Sequence, residues 1–331
     1  MINGFLYKDK KIHKLGLKEV KALPSLNKFK ARLWINVHKP NAEELEVLRD
    51  KFYVHPTTIE DVQHPRTRAK YEEFDENTFI VYKGVKEIKG INVRFYTLYF
   101  IDGDKFLISI YNTATNDTIE HLIKNEKKVL GLMTKGEDYI LHYIIDKEVD
   151  KYVDLKDTLS DEIKQLEEEF MKRPSKNLLK MLFLKEKVIT EIKQRVESLT
   201  DVCLMLKKPT ENFIQNSLIP YLRDVYDHIV RVNNGLGSYI DRINVIRESY
   251  ISLTSIKINE TMRFLTIIMA LMMPMTLITG YYGMNVKLPI QNYVHADVII
   301  FVLMLVTMIV MLYFFKKFGW FGNGGGSESY T

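Results

Sequence analysis

Apolar and polar positions alternate in short runs through the first 136 residues, then settle into a helical spacing that continues almost to the end of the chain. In the first part, residues 95–111 hold two β-rich runs on either side of Asp102-Gly103. That dipeptide suits the positive φ angles of a tight turn, so the pattern predicts a hairpin there. Residues 34–38 and 79–86 predict further strands, and residues 42–52 and 118–130 carry the spacing of amphipathic helices. The prediction is an α/β (α+β) N-terminal domain over residues 1–136, with its strand order left open.

Beyond residue 136 the strand signals stop. Pro174 and Pro209 punctuate the helical spacing, which predicts one helix through about Lys172, a second over residues 175–207, and a third from near Pro220. The first two read as an antiparallel hairpin within residues 137–219. Its acids Asp157, Asp161, Glu162, Glu167, Glu168 and Glu169 are most simply a solvated face, with cations or basic neighbours as the alternative. No proline lies between Pro220 and Pro274, so the long stalk at residues 220–263 runs into the next apolar segment as one helix of about 90 Å. Gly235 and Gly237 are its weak points, each costing about 1 kcal/mol against alanine, and are where a bend would fall. A helix of this length needs lateral partners, and self-association around a common axis is an economical source of them.

Residues 264–284 contain no Asp, Glu, Lys, Arg or His and as a helix would reach roughly 31 Å. Residues 298–315 are equally uncharged. The two runs predict membrane spans at residues 264–285 and 294–315, joined by an extracytoplasmic loop at 286–293 and followed by a tail at 316–331. Arg242, Arg247, Lys257 and Arg263 precede the first span, Lys316 and Lys317 follow the second, and only Lys287 lies between. That asymmetry places both termini, with the bulk of the chain, on the cytoplasmic side of a cell membrane. The N-terminal residues lack the order of a cleaved signal, and lone Cys203 staples nothing, which agrees with a reducing compartment. The net charge of +5 is small and partly due to the span anchors, so no nucleic-acid partner is expected. Neither a His-Glu-x-x-His motif, a nucleophile elbow nor a phosphate-binding loop is present, which argues against an enzyme and against ATP-driven transport. Residues 322–331, rich in Gly and Ser, have no means of forming a core.

Along the first span, Asn259, Met262, Thr266, Met269, Met273, Thr276, Gly280 and Gly283 recur at alternating intervals of three and four. The stripe collects amide, hydroxyl, thioether and small side chains, while Ile267, Ile268, Leu271, Leu277 and Ile278 fall off it. Such a face belongs against other helices or around water, because lipid would leave its polar groups unpaired. Close helix packing through small residues and a water-lined path both remain open on spacing alone. Pro274 fits inside the span by kinking it and freeing a carbonyl. Gly283 and Asn285 also admit a plain reading as a helix stop in the left-handed conformation.

Several segments together carry a resemblance. Tyr-Gly-Met-Asn at 282–285 ends the first of two C-terminal spans, with Asn-Glu-Thr-Met at 259–262 and Met-Pro-Met-Thr at 273–276 upstream. Arg-Asp-Val-Tyr-Asp-His lies at 223–228 and His-Pro-Thr-Thr-Ile-Glu-Asp at 55–61. In order and spacing over nearly the whole chain, the sequence resembles the CorA family of magnesium transporters. The resemblance implies a homopentameric, funnel-shaped channel whose pore is lined by the first span, with the second span facing membrane lipid.

The stripe then becomes a pore wall, with Gly283, Met284 and Asn285 as selectivity filter and Leu265 joining Met262 and Met273 as apolar constrictions. Mg²⁺ releases its water shell reluctantly, so amide and carbonyl oxygens are expected to hold the hydrated ion without stripping it. The resemblance also implies a regulatory Mg²⁺ site in which Asp224 meets Asp61 or Glu60 of a neighbouring protomer, with Asp227 and His228 as further ligands. Mg²⁺ would thus be both substrate and regulator. By themselves these acids read as surface carboxylates. The loop departs from the family pattern, since it carries Lys287 and no acid. Co²⁺, Ni²⁺ or Zn²⁺ transport by the same architecture, and a membrane-tethered sensor or scaffold, are the alternatives.

Overall fold

The computed structural model describes residues 1–24, 31–64, 67–89, 92–113, 116–208, 214–290 and 292–320. Pro209 and residues 322–331, singled out above, lie outside them. The chain divides into two compact units, Met1–Ile246 and Arg247–Thr331.

The first unit opens with β1 (Ile2–Lys8), β2 (Lys11–Leu15), α1 (Leu17–Lys21), β3 (Arg32–His38), α2 (Ala42–Phe52) and α3 (Pro56–Gln63). Strands β4 (Lys70–Glu73), β5 (Asn77–Lys89), β6 (Asn92–Gly103) and β7 (Phe106–Tyr111) follow, then α4 (Asp117–Lys124), α5 (Glu126–Met133), α6 (Asp138–Lys172) and α7 (Lys176–Leu206). The strands form one mixed sheet in the order β2-β1-β3-β7-β6-β5-β4. Only the central β3–β7 pairing is parallel, with Trp34 opposite Leu107. Both faces of the sheet are buried, which fits its runs of consecutive apolar residues. Leu33, Ile35, Phe79, Val81, Ile101 and Ile108 pack with Leu45, Leu48, Phe52 and Val62 of α2 and α3. The alternate residues Trp34, Tyr82 and Phe100 are equally buried and, by strand alternation, point to the opposite layer.

Two local expectations are corrected. The β6–β7 turn is Asp104-Lys105, not Asp102-Gly103: Gly103 pairs with Phe106, and Lys105 supplies the positive φ of 65°. Gly103 is required for packing, because a Cβ there would stand 2.3 Å from the Phe106 ring. The helix expected over residues 118–130 is two, broken at Asn125 (φ −106°, ψ 77°). The Asn125 side chain accepts from the Lys128 N–H at 3.1 Å and so starts a new helix.

The second layer is fastened to the sheet by a buried polar group. Glu148 on α6 is fully buried and accepts from Thr118 Oγ1 at 3.0 Å, from Lys151 Nζ at 2.8 Å and from the Tyr96 hydroxyl. Tyr152 Oη donates to the Lys83 carbonyl at 2.8 Å. A buried carboxylate is tolerable only when so satisfied.

Helix α8 (Ile219–Tyr282) begins in this unit. Glu162 of α6 pairs with Lys185 of α7, as expected for an antiparallel hairpin. Asp138 accepts from the Gln215 N–H at 2.9 Å near the start of α8, and Glu167 pairs with Arg242 further along; α6 and α8 therefore run parallel. The acidic stretch is accordingly not all solvated: Glu162 and Glu167 meet basic neighbours on other helices and Asp157 meets Lys156 beside it, while Asp161, Glu168 and Glu169 are exposed. Helix α8 passes unbroken through Gly235 and Gly237. Gly235 admits a neighbour instead of marking a break, since a Cβ there would lie 2.9 Å from Lys156 Cδ.

The second unit holds the rest of α8 and α9 (Ala296–Lys317). Both helices are long and apolar enough to cross a membrane.

Asp102, displaced from the turn into the sheet, is 1% exposed, and neither carboxylate oxygen has a hydrogen-bond partner among the described residues. Burial pushes its carboxyl well above the ordinary range, and the nearby Asp138 and Glu137 push it further. A raised folded-state value favours the protonated form, so the stability it contributes is complete at acid pH and lost as pH rises. Asp102→Asn should therefore flatten the loss of thermal stability as pH rises above the ordinary carboxylate value of 3.8. The expected difference is about 3 °C for about 1 kcal/mol, read by thermal unfolding of the full-length protein.

Candidate ion path and cation-sensing residues

In the second unit the two helices are the only helical neighbours available to each other among the described residues. Their less exposed positions form one line on each: Ile267, Leu271, Pro274 and Ile278 on α8, and Ile300, Met304, Thr307 and Met311 on α9. Packing of these lines on one another accounts for the burial. The stripe lies elsewhere. Asn259, Met262, Leu265, Met269, Met273, Thr276 and Gly280 are all exposed, and Thr266 is half-buried at the edge. Met269, Met273, Thr276 and Gly280 line a single open hollow of about 800 Å³. The stripe thus lies across the helix from its less exposed line and is free, as are the off-stripe residues Ile268 and Leu277, 42% and 74% exposed.

Thr266 Oγ1 donates to the Met262 carbonyl at 2.8 Å and Thr276 Oγ1 to the Met272 carbonyl at 2.9 Å. Their hydroxyl protons are satisfied within the helix, so lipid would not leave them unpaired. The groups that lipid would leave unpaired are instead the amides of Asn259 and Asn285.

Helix α8 ends at Tyr282, with the Gly283 N–H donating to the Thr279 carbonyl at 2.9 Å. Neither Gly283 nor Asn285 takes a positive φ, so the left-handed stop that these residues permit is not how the helix ends. Gly283 is required by proximity, since a Cβ there would stand 2.9 Å from the Thr279 carbonyl oxygen. Met284 and Asn285 are exposed just beyond the helix, followed by exposed Lys287.

The other candidate residues belong to the first unit. Helix α3 starts at Pro56 with His55 as its cap, a local arrangement that suits proline's fixed φ and missing N–H. Its far end carries Glu60, which is exposed, and Asp61, which is not free: Lys70 Nζ lies 2.6 Å away and Thr67 Oγ1 donates at 3.1 Å. Lys70 also reaches Glu72 at 2.8 Å. Burial opposes the Lys70 charge, but its hydrogen bonds to Asp61 and Glu72 outweigh that cost and raise its pKa. These groups line an open hollow of about 630 Å³.

On α8, Asp224 and Asp227 are exposed. His228 Nε2 stands 3.6 Å from Asp224 Oδ1. Among the described residues, no three His, Cys, Asp or Glu side chains of one chain are gathered as metal ligands. The sequence reading missed His142 and Asp146, one helical turn apart on α6. Burial lowers the His142 pKa, against the opposing pull of Asp146 and Asp224, and its ring meets Tyr221 edge-on at 5.6 Å. Their four-residue spacing on one face of a helix was the available signal.

The architecture defines a membrane protein with two C-terminal spans and a large mixed-sheet domain outside them. Residues 30–317 match the family described as CorA-like Mg²⁺ transporter protein. The chain belongs to that family. It is 28% identical over 292 residues to the cobalt/magnesium transport protein CorA of Thermotoga maritima, covering 87% of this chain and 83% of the relative. It is 25% identical to the putative metal ion transporter YfjQ of Bacillus subtilis, over 87% and 89% of the two chains. The complete CorA magnesium transporter of Methanocaldococcus jannaschii superposes with a TM-score of 0.76 at 20% identity, covering 97% of this chain and 98% of that one. The ZntB cytoplasmic domain of Vibrio parahaemolyticus has the same fold over 76% of this chain and 97% of its own, with a TM-score of 0.61 at 13% identity.

His142 should protonate below its ordinary value of 6.5. Since Asp224 favours the charged ring, Asp224→Asn should lower the midpoint further. Histidine-selective NMR across the titration measures both.

Proposed function

We propose that the protein is a homopentameric channel that admits hydrated Mg²⁺ to the cytoplasm down the membrane potential. The observation that carries this reading is the free face of α8, which runs opposite to α9 and ends in the exposed amide of Asn285. Residues 251–265, on the approach to the first span, support self-association: every one is exposed within the single chain, including Ile251 at 61% and Ile258 at 57%. A bare helix that exposes Ile, Leu, Met and Phe among its polar residues needs partners, and identical copies around an axis would cover it.

Copies so arranged would bring Asn285 together as a ring of amide oxygens, with carbonyls near Gly280 and Gly283 behind it. Such a ring suits outer-shell hydrogen bonds to an ion that keeps its water. Met262, Leu265 and Met273 would close the path by dewetting. An inside-negative potential favours entry of a divalent ion by about 4.6 kcal/mol per 100 mV, so no other energy source is required. The family's description as transporters supports this reading over an enzymatic one. Co²⁺ is the second cargo to test, because the Thermotoga relative is named for both ions.

Mg²⁺ would also act as regulator. Asp224 of one protomer, approaching Glu60 or Asp61 of the next, would bind the ion and hold the closed state, and its loss would let the protomers separate. The Lys70 contact alters the expected roles. Asp61 is already neutralised within its own chain, so exposed Glu60 is the readier partner and Asp61 joins only by exchanging Lys70 for the metal.

Protein in liposomes loaded with a Mg²⁺-sensitive dye should take up Mg²⁺ under an inside-negative potential. Asn285→Ala should cut that uptake at least tenfold, on the scale of about 1.4 kcal/mol, while the mass of the assembly stays the same. Unchanged uptake would remove Asn285 from the filter, and a monomeric mass would end the pentamer reading. Asp224→Lys should leave uptake intact but abolish its inhibition by Mg²⁺ on the cytoplasmic side; retained inhibition would sink the sensor assignment.

A further inference from the structure

Methionine is concentrated in one part of α8. Six of the chain's 14 methionines, Met262, Met269, Met272, Met273, Met275 and Met284, fall within residues 262–284. Four of these, Met269, Met272, Met273 and Met284, line the open hollow of about 800 Å³ in the second unit. Gly280 lines it too, and a Cβ there would meet nothing within 4 Å, so the hollow has room at its floor. Met269, Met272 and Met273 stand at i, i+3 and i+4, neighbours on the helix surface with Cβ atoms about 5–6 Å apart. They are 52%, 56% and 74% exposed, so packing within the chain does not account for the choice of residue. Leucine matches methionine in volume and helix propensity and stands at 265, 271 and 277 of the same helix. It would serve equally in lipid or in a dewetted constriction. What methionine adds is a polarisable sulfur on a side chain with three rotatable bonds.

We infer that Met269, Met272 and Met273 form a site for a soft monovalent cation of the Cu⁺ type, held by three thioether sulfurs of one chain. Thioethers are among the ligands that select Cu⁺ over harder ions. The three side chains spring from little more than one helical turn and bend freely, so their sulfurs can converge on one ion. Residues 264–284 contain no Asp, Glu, Lys, Arg, His or Cys, so no stronger side-chain ligand or competing charge stands nearby. A neutral ligand set also favours one positive charge over two, because the cost of removing an ion from water rises with its charge. Mg²⁺, which takes oxygen ligands and keeps its water, gains nothing from sulfur. The site is complete within one helix, and the inference is independent of which ion the spans conduct.

Silver ion shares the charge and softness of Cu⁺ and is stable in air, which makes it the probe. The full-length protein, carrying ¹³C at its methionine methyl groups, is titrated with silver nitrate in chloride-free detergent micelles, and each methyl resonance reports on its own sulfur. The Met269, Met272 and Met273 signals should move together and saturate at one ion per chain, and a large excess of Mg²⁺ should not reverse the change. Met275, half-buried in the same helix, and Met304 and Met311 on α9 should stay in place. Met272→Leu combined with Met273→Leu should weaken binding at least about tenfold, the loss that even an altered outer-shell group produces, whereas Met275→Leu should not. Leucine keeps the volume, and unmoved resonances elsewhere establish that the variant is folded. Exposed Met171 and Met181 of the first unit supply the comparison. If their signals move at the same silver concentration, the thioethers bind singly and there is no built site. That result, reversal by Mg²⁺, or no movement of the three signals overturns the inference.

Discussion

One helix has to satisfy two solvents. Over its first half α8 is amphipathic: Leu222, Val225, Ile229, Val232, Leu236 and Ile243 are buried within the first unit, where α6 and α7 run alongside it. Over residues 264–282 the helix carries no charge and belongs in lipid, where backbone groups have no water to bond and only a continuous helix or a closed barrel is stable. Most of the architecture answers that demand. The long hairpin of α6 and α7 gives the water-exposed half something to lie against, and the mixed sheet gives the hairpin an anchor. Helix α9 covers one side of the lipid-embedded half and no more.

The anchor is polar as well as apolar. Glu148 sits where the sheet meets α6 and is satisfied by donors from three separate elements. A group of this kind contributes little net stability when intact, but removing one partner strands a charge, at a cost of about 3–5 kcal/mol. It therefore specifies how α6 seats on the sheet more than how tightly. Gly84 belongs to the same arrangement, because a Cβ there would stand 2.3 Å from the Tyr96 ring and displace the hydroxyl that Glu148 holds.

The helical half of this fold was legible in the sequence for physical reasons. Prolines at 174 and 220 end and start helices through a missing donor and a fixed φ, and uncharged runs announce the spans. The hairpin strands were legible as well, but the turn between them was misplaced by two residues: Asp-Gly fits such a turn, yet at 102–103 both residues lie in the paired strands. Propensity describes the dipeptide, and the ring of Phe106 decides the register. Strands β1, β2 and β4 gave no clear periodic signal. The candidate site divides along the same line. The free face of α8 was visible in its three-and-four spacing. The Lys70 contact to Asp61 and the approach of His142 toward Asp224 join residues far apart in sequence or on different helices, where no periodicity reaches.

The threonines of the free face have a final consequence. Each donates its proton to a carbonyl one turn back, and methionine has no proton to give. Between Asn259 and Asn285, side chains on this face therefore present lone pairs and almost no donors. Such a surface is polarised in one sense without carrying a charge. Water against it turns its hydrogens toward the wall and its oxygens inward, the orientation that water already has around a cation and the reverse of its orientation around an anion. In the proposed channel, discrimination by sign would follow from the covalent chemistry of Thr and Met, transmitted by a sheath of water.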